Sequence, residues 1–101
     1  MPDPGTDPIR ALAAPRRREI LRLLDAGERS AGTLHRALPD VTFGAVSQHL
    51  RVLRQAGLVT EQRVGTRNVY RADPRGLAEL RAYFDDFWVR ALEAFKDEVE
   101  G

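Results

Sequence analysis

Side chains that could hydrogen-bond to nucleic-acid bases recur at helical spacing near the middle of the chain. Gln48 and Arg51 stand three residues apart, with Ser47 beside them and Ala45 three residues earlier. A glutamine amide can pair with adenine, an arginine can contact guanine or phosphate, and a small side chain lets the backbone approach. Arg54 follows nearby, and this face contains no acid. The same pattern also fits an ordinary amphipathic helix with a solvated polar face, and these residues alone do not decide between the two.

A helix from Phe43 to Ala56 is required to hold those side chains on one face. Thr42 is a favourable N-cap, and Val41 and Val46 have the spacing of a hydrophobic staple around it. Gly57 is a natural residue to follow the helix C-terminus. The other face of this helix carries an apolar stripe at i, i+4 and i+7, formed by Val46, Leu50 and Leu53.

Two helices are predicted at the start of the chain. Residues 1–6 contain two prolines and a glycine and are expected to form a loose arm. A first helix over residues 7–14 can be capped by Thr6 or Asp7, with a proline in its first turn. Pro15 then opens a second helix, which is expected to run to the next glycine.

A third, short helix leads into the helix described above. Ser30 can cap it, and Pro39 ends it. Only four residues then separate the two helices, which is typical of a helix-turn-helix, here predicted over residues 30–57. In that arrangement the second helix enters the major groove.

A β-hairpin is predicted over residues 59–72. Two short β-prone runs are joined through Gly65 and Thr66, with Arg63 and Arg67 flanking the tip. A hairpin that follows a reading helix is a wing, and an arginine at its tip can enter the minor groove or contact phosphate. The alternative is a solvated hairpin whose arginines have no such role.

A long amphipathic helix is predicted over residues 74–99. Its apolar face is larger than one small domain can cover, which favours packing on the same helix of a second copy, helped by Ile9 and Leu12. The alternative is a hydrophobic effector pocket between the two copies. The predicted interface on this helix comprises Leu80, Phe84, Phe87, Trp88, Ala91 and Phe95.

Charge and composition narrow the classes of protein further. Residues 1–71 hold 12 basic and 7 acidic residues, a net charge of +5, whereas residues 72–101 hold 4 and 8, a net charge of −4. This uneven distribution favours a polyanionic partner that contacts only the basic part, residues 1–71. Arg16, Arg17 and Arg18 could contact phosphates or be solvated. The 101-residue chain lacks cysteine, an apolar membrane-spanning run and the features of a signal peptide, so we expect a cytoplasmic protein without disulfides.

Three segments together resemble the ArsR-type winged helix-turn-helix transcriptional repressors. The segment ALAAPRRREIL (11–21) resembles the family's opening pattern, VSQHLRVLRQAGLV (46–59) is close to its most specific signature, and VGTRNVYR (64–71) resembles its wing. The resemblance implies a mainly α fold of about five helices with a two-stranded wing. It also implies a homodimer that binds double-stranded DNA at two half-sites, with the first and last helices as the dimer interface. Ser47 and Gln48 match the family's base-reading positions.

Departures from the family pattern indicate a metal-independent member. The family's founding members sense metals through cysteines in the third helix, and the matching residues 28–34 contain none. Another family site uses pairs of Asp and His on the last helix, which here has no histidine. Asp85, Asp86 and Glu93 could form at most a weak oxygen-ligand site and are expected instead to be a solvated acidic face, so we predict no metal and no cofactor. The acid that usually precedes Pro15 is replaced by Ala14, so that helix is expected to lack a cap.

Five residues of the reading helix and its cap admit specific roles. Arg51 and Arg54 are expected to contact phosphates, since they lie further along the helix than the base readers. Thr42 can cap the helix and also contact phosphate. Phe43 could contact a thymine methyl or pack inward. His49 borders the apolar stripe, where a structural hydrogen bond is favoured over a phosphate contact.

Three classes of function remain, of which a repressor that binds an inverted-repeat operator is favoured. A winged-helix module for protein–protein contacts is the alternative, but its recognition face should expose apolar residues. An enzyme is not expected, because the chain offers no nucleophile–base set, metal set or glycine-rich phosphate loop. The sequence does not reveal the operator or the identity of any small-molecule effector.

Overall fold

The computed structural model describes residues 7–100 of the chain. It has five helices and a three-stranded antiparallel sheet, so the predicted mainly α fold with a wing is confirmed. The elements in chain order are α1 (Pro8–Ala11), α2 (Pro15–Asp25), β1 (Arg29–Ser30), α3 (Ala31–Ala37), α4 (Phe43–Gln55), β2 (Val59–Val64), β3 (Arg67–Ala72) and α5 (Pro74–Glu100). The arm predicted over residues 1–6 lies outside the described residues.

Helix α4 begins and ends where its capping residues predict. Thr42 is extended, and its hydroxyl accepts a hydrogen bond of 3.1 Å from the amide of Ala45. At the other end Gly57 has φ +78°, a conformation that favours glycine. Its amide donates to Arg54 and the next amide, of Leu58, donates to Leu53, both at 3.0 Å. This pair of bonds is the Schellman motif, which satisfies carbonyls that the end of the helix leaves open.

The apolar stripe of α4 is fully covered by the rest of the fold. Val46, Leu50 and Leu53 are 0–1% exposed. They pack in one cluster with residues of α2, α3 and the start of β2, and burial of such side chains contributes on the order of 1.5–3 kcal/mol each. The orientation of α4 is therefore set by this core, whose members are Ala11, Ile20, Leu24, Leu34, Leu38, Val46, Leu50, Leu53, Ala56, Leu58 and Val59.

The first helix is shorter than predicted. Asp7 caps it through a 2.8 Å bond from the amide of Ile9 to a carboxylate oxygen, but the helix ends at Ala11 rather than residue 14. Ala14 precedes a proline and is therefore extended (φ −83°, ψ 122°), which stops the helix before it. As predicted, Ala14 provides no side-chain cap for α2.

The sheet contains one strand that the sequence did not predict. β2 and β3 form the predicted hairpin, pairing Val59 with Ala72 and Val64 with Arg67 around a two-residue turn at Gly65–Thr66. Gly65 has φ +65°. The third strand, β1, pairs antiparallel with β3 on its other edge, which gives the order β1-β3-β2. The hairpin is thus attached to the residues that open α3, because Ser30 is both the last residue of β1 and the N-cap of α3.

Helix α5 extends away from the rest of the fold. Asp73 caps it by accepting a 3.0 Å bond from the amide of Arg75. Leu77 and Leu80 pack partly on the core, yet none of the 27 residues of α5 is buried. A helix of this length spans roughly 40 Å, and the described chain measures 62 Å along its longest axis.

Candidate nucleic-acid interface

The exposed face of α4 presents hydrogen-bonding groups. Ser47, Gln48 and Arg51 are exposed, on the opposite side of the helix from its buried stripe. Within residues 7–100, none of these three side chains forms a hydrogen bond or an ion pair. They border a groove of about 360 Å³ between α4 and the sheet, which Tyr70 of β3 also lines. The groups that could contact bases are therefore held by a helix that is anchored in the core, and they remain available to a ligand.

Gly44 is a second small residue on this face, beside the predicted Ala45. Ala45 is half-buried at the edge of the exposed face, and its contact with DNA stays a prediction. Successive helical residues are separated by about 100°, which places residue 44 between Gln48 and Arg51. Gly44 is exposed, and a Cβ added to it would have no atom within 4 Å. Its position in the helical repeat would have identified it from the sequence.

The two arginines of α4 have different surroundings. Arg54 forms an ion pair with Glu61 of β2. Glu61 is largely covered, at 21% side-chain exposure, whereas the Arg54 side chain is 48% exposed. The phosphate contact of Arg54 stays a prediction. This ion pair joins the end of α4 to the wing. Arg51 is left as the arginine of α4 without an ionic partner among the described residues.

Phe43 is neither packed into the core nor isolated in solvent. It is 50% exposed at the start of α4. Its ring meets that of His35 of α3 edge to face, with 5.8 Å between ring centroids and 86° between their planes. Edge-to-face pairs of this kind contribute on the order of 0.5–1.5 kcal/mol beyond area burial. The contact joins the two helices of the helix-turn-helix and leaves half of Phe43 exposed.

His49 links α4 to α2. Its Nδ1 accepts a hydrogen bond of 3.3 Å from Nε of Arg17, so it has the structural partner that the sequence analysis favoured. Burial lowers the pKa of His49 from its ordinary value of 6.5, and the nearby charges of Arg17 and Arg16 lower it further. A neutral His49 is therefore favoured at pH 7.

The three consecutive arginines of α2 serve the fold rather than standing free. Arg17 also donates to the carbonyl of Ala11 at 3.1 Å, and Arg18 donates to the carbonyl of Leu12 at 2.7 Å. These bonds satisfy carbonyls that the short helix α1 leaves open. Arg16 forms ion pairs with Glu19 and Asp40. These local hydrogen bonds and ion pairs add a structural role to the phosphate contact or solvation that the sequence left open for these residues.

The wing carries exposed arginines near its tip. Nε of Arg63 donates to the carbonyl of Gly65 at 3.2 Å, and Arg67 donates to the hydroxyl of Ser30 at 3.4 Å. Both bonds leave the guanidinium exposed, because each involves only one of its nitrogens. Thr66 is exposed at the turn, and so is Asn68, which the sequence analysis did not select.

Helix α5 exposes a continuous apolar surface. Its apolar stripe includes Phe84, Phe87, Trp88 and Phe95, which are 47–63% exposed. Ala91 of the same predicted interface is also exposed.

The acids of α5 that were expected to be solvated are also exposed. Asp85 pairs with Arg81 at 3.7 Å and Asp86 pairs with Arg90 at 2.9 Å, both at i, i+4 spacing.

A cleft of about 490 Å³ separates α1 from the first turns of α5. Ile9, which is 39% exposed, and Leu80 lie on its two sides. Gly57 and Gly76 also line it, so the cleft reaches the end of α4. No helix within residues 7–100 is long and apolar enough to cross a lipid bilayer.

Comparisons with known proteins agree with this geometry. A family model described as a helix-turn-helix domain matches residues 12–62. An HTH-type transcriptional regulator of Mycobacterium tuberculosis is 48% identical over 90 residues, which cover 89% of this chain and 83% of that protein. The crystal structure of a possible transcriptional regulator for arsenical resistance superposes with a TM-score of 0.76 at 43% identity, covering 91% of this chain and 95% of the other.

A further solved structure shows the same fold in an assembled form. The solution structure of a homodimeric winged helix-turn-helix DNA-binding domain from Mycobacterium bovis, described as a possible ArsR-family transcriptional regulator, has a TM-score of 0.63 at 36% identity. The matched region covers 77% of this chain and 71% of that one. Because the matched model spans the helix-turn-helix and the relative extends over nearly the whole chain, the protein belongs to the ArsR-type (ArsR/SmtB) family of winged helix-turn-helix transcriptional regulators.

Proposed function

We propose that this protein is a sequence-specific repressor that binds an inverted-repeat operator in double-stranded DNA as a homodimer. The observation that carries the proposal is the exposed face of α4. Ser47 and Gln48 stand near the start of the helix, where reading helices enter the major groove. The apolar stripe behind them is fully buried, so the helix can be presented to bases without reorganisation.

In this proposal Gln48 is the principal base reader, and Ser47 contacts a base edge or the adjacent phosphate. Gly44 lets the helix backbone approach the bases closely, since no side chain stands between them. Phe43 offers its exposed part to a thymine methyl. The exposed groups on this face are polar or small apart from that one ring, which suits DNA better than an apolar protein surface.

Phosphate contacts position the reading helix. Arg51 has no ionic partner within the described residues, so its charge is available to the DNA backbone. Thr42 at the helix start and Thr66 at the wing turn each add a hydroxyl. Arg63 and Arg67 place two guanidiniums at the wing, where they contact phosphate or enter the minor groove. His49 acts through the contact that it makes with α2, and Arg54, half-exposed beside Glu61, adds a phosphate contact.

The proposed dimer interface is formed by α5 and the residues of α1 that face it. The aromatic side chains of α5 are too exposed in one copy for a stable soluble surface, and a second copy with the same apolar stripe would cover them. Ile9 lines the cleft beside the first turns of α5, and Leu12, which packs partly on the core, is proposed to contribute with it. The homodimeric relative from Mycobacterium bovis supports such an assembly by analogy.

In this proposal, dimerisation requires an operator with two half-sites. A two-fold dimer presents two reading helices, which requires half-sites about one DNA turn apart or a multiple of it. The chain would then act as one winged helix-turn-helix domain, with residues 7–14 and 74–99 for dimerisation, 30–57 for reading and 59–72 as the wing. Because its target is chromosomal DNA, we expect it to act in the cytoplasm, where binding to a promoter excludes the transcription machinery.

Gel-shift titrations on a promoter fragment and a scrambled fragment test this proposal. We expect both to be bound more weakly as salt rises, since phosphate contacts release counterions. The promoter operator should be bound on the order of 10³-fold or more tightly than the scrambled DNA. Equal, salt-independent binding to both fragments would contradict DNA reading and favour the protein-interaction alternative.

A further inference from the structure

The backbone at the first turn of α5 lies directly against the residue that ends α4. A Cβ built on Gly76 would overlap the carbonyl oxygen of Gly57 and would lie 2.8 Å from its carbonyl carbon. It would also come within 3.5 Å of the Cα of Leu58. Only a residue without a side chain permits this approach, because the opposing atoms are backbone and cannot rotate away.

Both sides of this contact are fixed independently. Gly57 ends α4 in the Schellman motif described above, and Leu58 is fully buried. The carbonyl of Leu58 accepts a 2.8 Å bond from the amide of Asp73, which in turn caps α5. The end of the reading helix and the start of the long helix are therefore joined through one short backbone junction.

We infer that Gly76 determines the spacing between half-sites that the dimer accepts. This inference rests on the proposed function, since it requires that α5 is the dimer helix and α4 the reading helix. Under that arrangement the Gly57–Gly76 contact sets the angle between the two helices. Through the symmetric dimer, the same angle sets the distance between the two reading helices.

The length of α5 makes this distance sensitive to small changes at the contact. The centre of a 27-residue helix lies roughly 20 Å from its first turn. A tilt of about 10° at the first turn would move that centre by roughly 3.5 Å relative to α4. The rise of one base pair is about 3.4 Å. Since both protomers would tilt, the separation of the reading helices would change by the length of one to two base pairs.

Distance measurements between the two reading helices test the inference without using DNA. The chain contains no cysteine, so Gln55→Cys at the exposed end of α4 gives one spin-label site per protomer. The comparison uses this labelled protein alone, with Gly76→Ala, and with Ala78→Ser, which adds one heavy atom at an exposed position two residues further along α5. We expect a narrow distance distribution for the first and third proteins, and a distribution shifted by several ångströms or clearly broadened for Gly76→Ala.

Unlabelled proteins provide the matching DNA readout. Gly76→Ala should retain its affinity for a single half-site within about twofold, because α4 itself is unchanged, while its preferred spacer between half-sites should change by one or more base pairs. If Gly76→Ala formed dimers with the same distance distribution and spacer preference as the unsubstituted protein, the inference about Gly76 would be wrong and the proposed function would stand. The same would follow from a Gly76→Ala protein that fails to fold when Ala78→Ser folds, because Gly76 would then support the core. Monomers in every sample would contradict the proposed dimer itself, and the inference with it.

Discussion

Substituting Trp88 by glutamate should convert the protein into a monomer that still folds. Trp88 is 63% exposed on the apolar face of α5, and no residue of that helix is part of the buried core. The core that holds α4 is therefore expected to survive the substitution. In the proposed dimer, the same change would place a carboxylate in an apolar interface, where the loss of hydration is unfavourable.

The size of the effect follows from the exposed area. A tryptophan side chain offers roughly 200 Å², so at 63% exposure about 130 Å² of each Trp88 remains to be covered in a dimer. Two-fold symmetry doubles this to about 250 Å². If half of that area is buried, the loss is about 3 kcal/mol at roughly 25 cal/mol per Å². The dimer should then be weakened by about 100-fold before the cost of burying the charge is added.

Sedimentation and gel shifts measure the two consequences separately. Trp88→Glu should sediment as a monomer at concentrations where the unsubstituted protein is a dimer. Its binding to non-specific DNA should persist, while its affinity for a two-half-site operator should fall by about 10²–10⁴, the factor that linking two binding units can supply.

Val89→Glu is the matched control. Val89 is 53% exposed and adjacent to Trp88, but helical geometry places it about 100° further round, away from the apolar stripe. The Val89→Glu protein should remain a dimer. A dimeric Trp88→Glu protein, or equal dissociation of both variants, would refute the assignment of this face as the interface.

Three further predictions concern the DNA face and the helix behind it. Gln48→Ala should weaken operator binding by about 1–3 kcal/mol and leave scrambled-DNA binding nearly unchanged in gel shifts; equal losses on both would show that Gln48 does not read bases. Arg63→Ala or Arg67→Ala should weaken binding to every sequence and reduce the slope of log K against log salt by roughly one for each phosphate that the wing no longer neutralises, whereas unchanged slopes and affinities would place the wing away from DNA. His49 has a folded-state pKa below its ordinary 6.5, so the unfolded chain takes up a proton first. Its contribution to stability is therefore fully present above pH 6.5 and is lost as pH falls toward the folded-state pKa. Denaturant titrations of His49→Gln should show a smaller loss of stability below pH 6.5 than the unsubstituted protein, and identical pH profiles would remove His49 as a cause.

Strong local signals made much of the fold predictable. The limits of α4 follow from one capping hydroxyl and one glycine, and its orientation follows from three apolar residues at helical spacing. The apolar face of α5 was visible for the same reason, because a period of 3.6 residues is easily recognised over 27 residues. Patterns of this kind involve residues within one or two helical turns of each other, so they can be recognised directly in the sequence.

Features that depend on distant contacts were missed. Strand β1 has two residues, too few for an alternating pattern, and exists because it pairs with Tyr70 and Val69, which lie far along the chain. The Arg54–Glu61 ion pair and the Gly57–Gly76 contact likewise join separate elements. The extended Ala14 that shortens α1 could have been predicted, since the residue before a proline disfavours the helical conformation.

Selection of bound fragments from a random double-stranded DNA pool tests the central claim most directly. The unsubstituted protein should enrich an inverted repeat whose half-sites lie about one helical turn apart or a multiple of it. The Gln48→Ala protein should lose base preference at a position within each half-site while keeping the spacing between them. No enriched sequence, or a single unrepeated site bound with full affinity by a monomer, would contradict the account of a dimeric, α4-reading repressor.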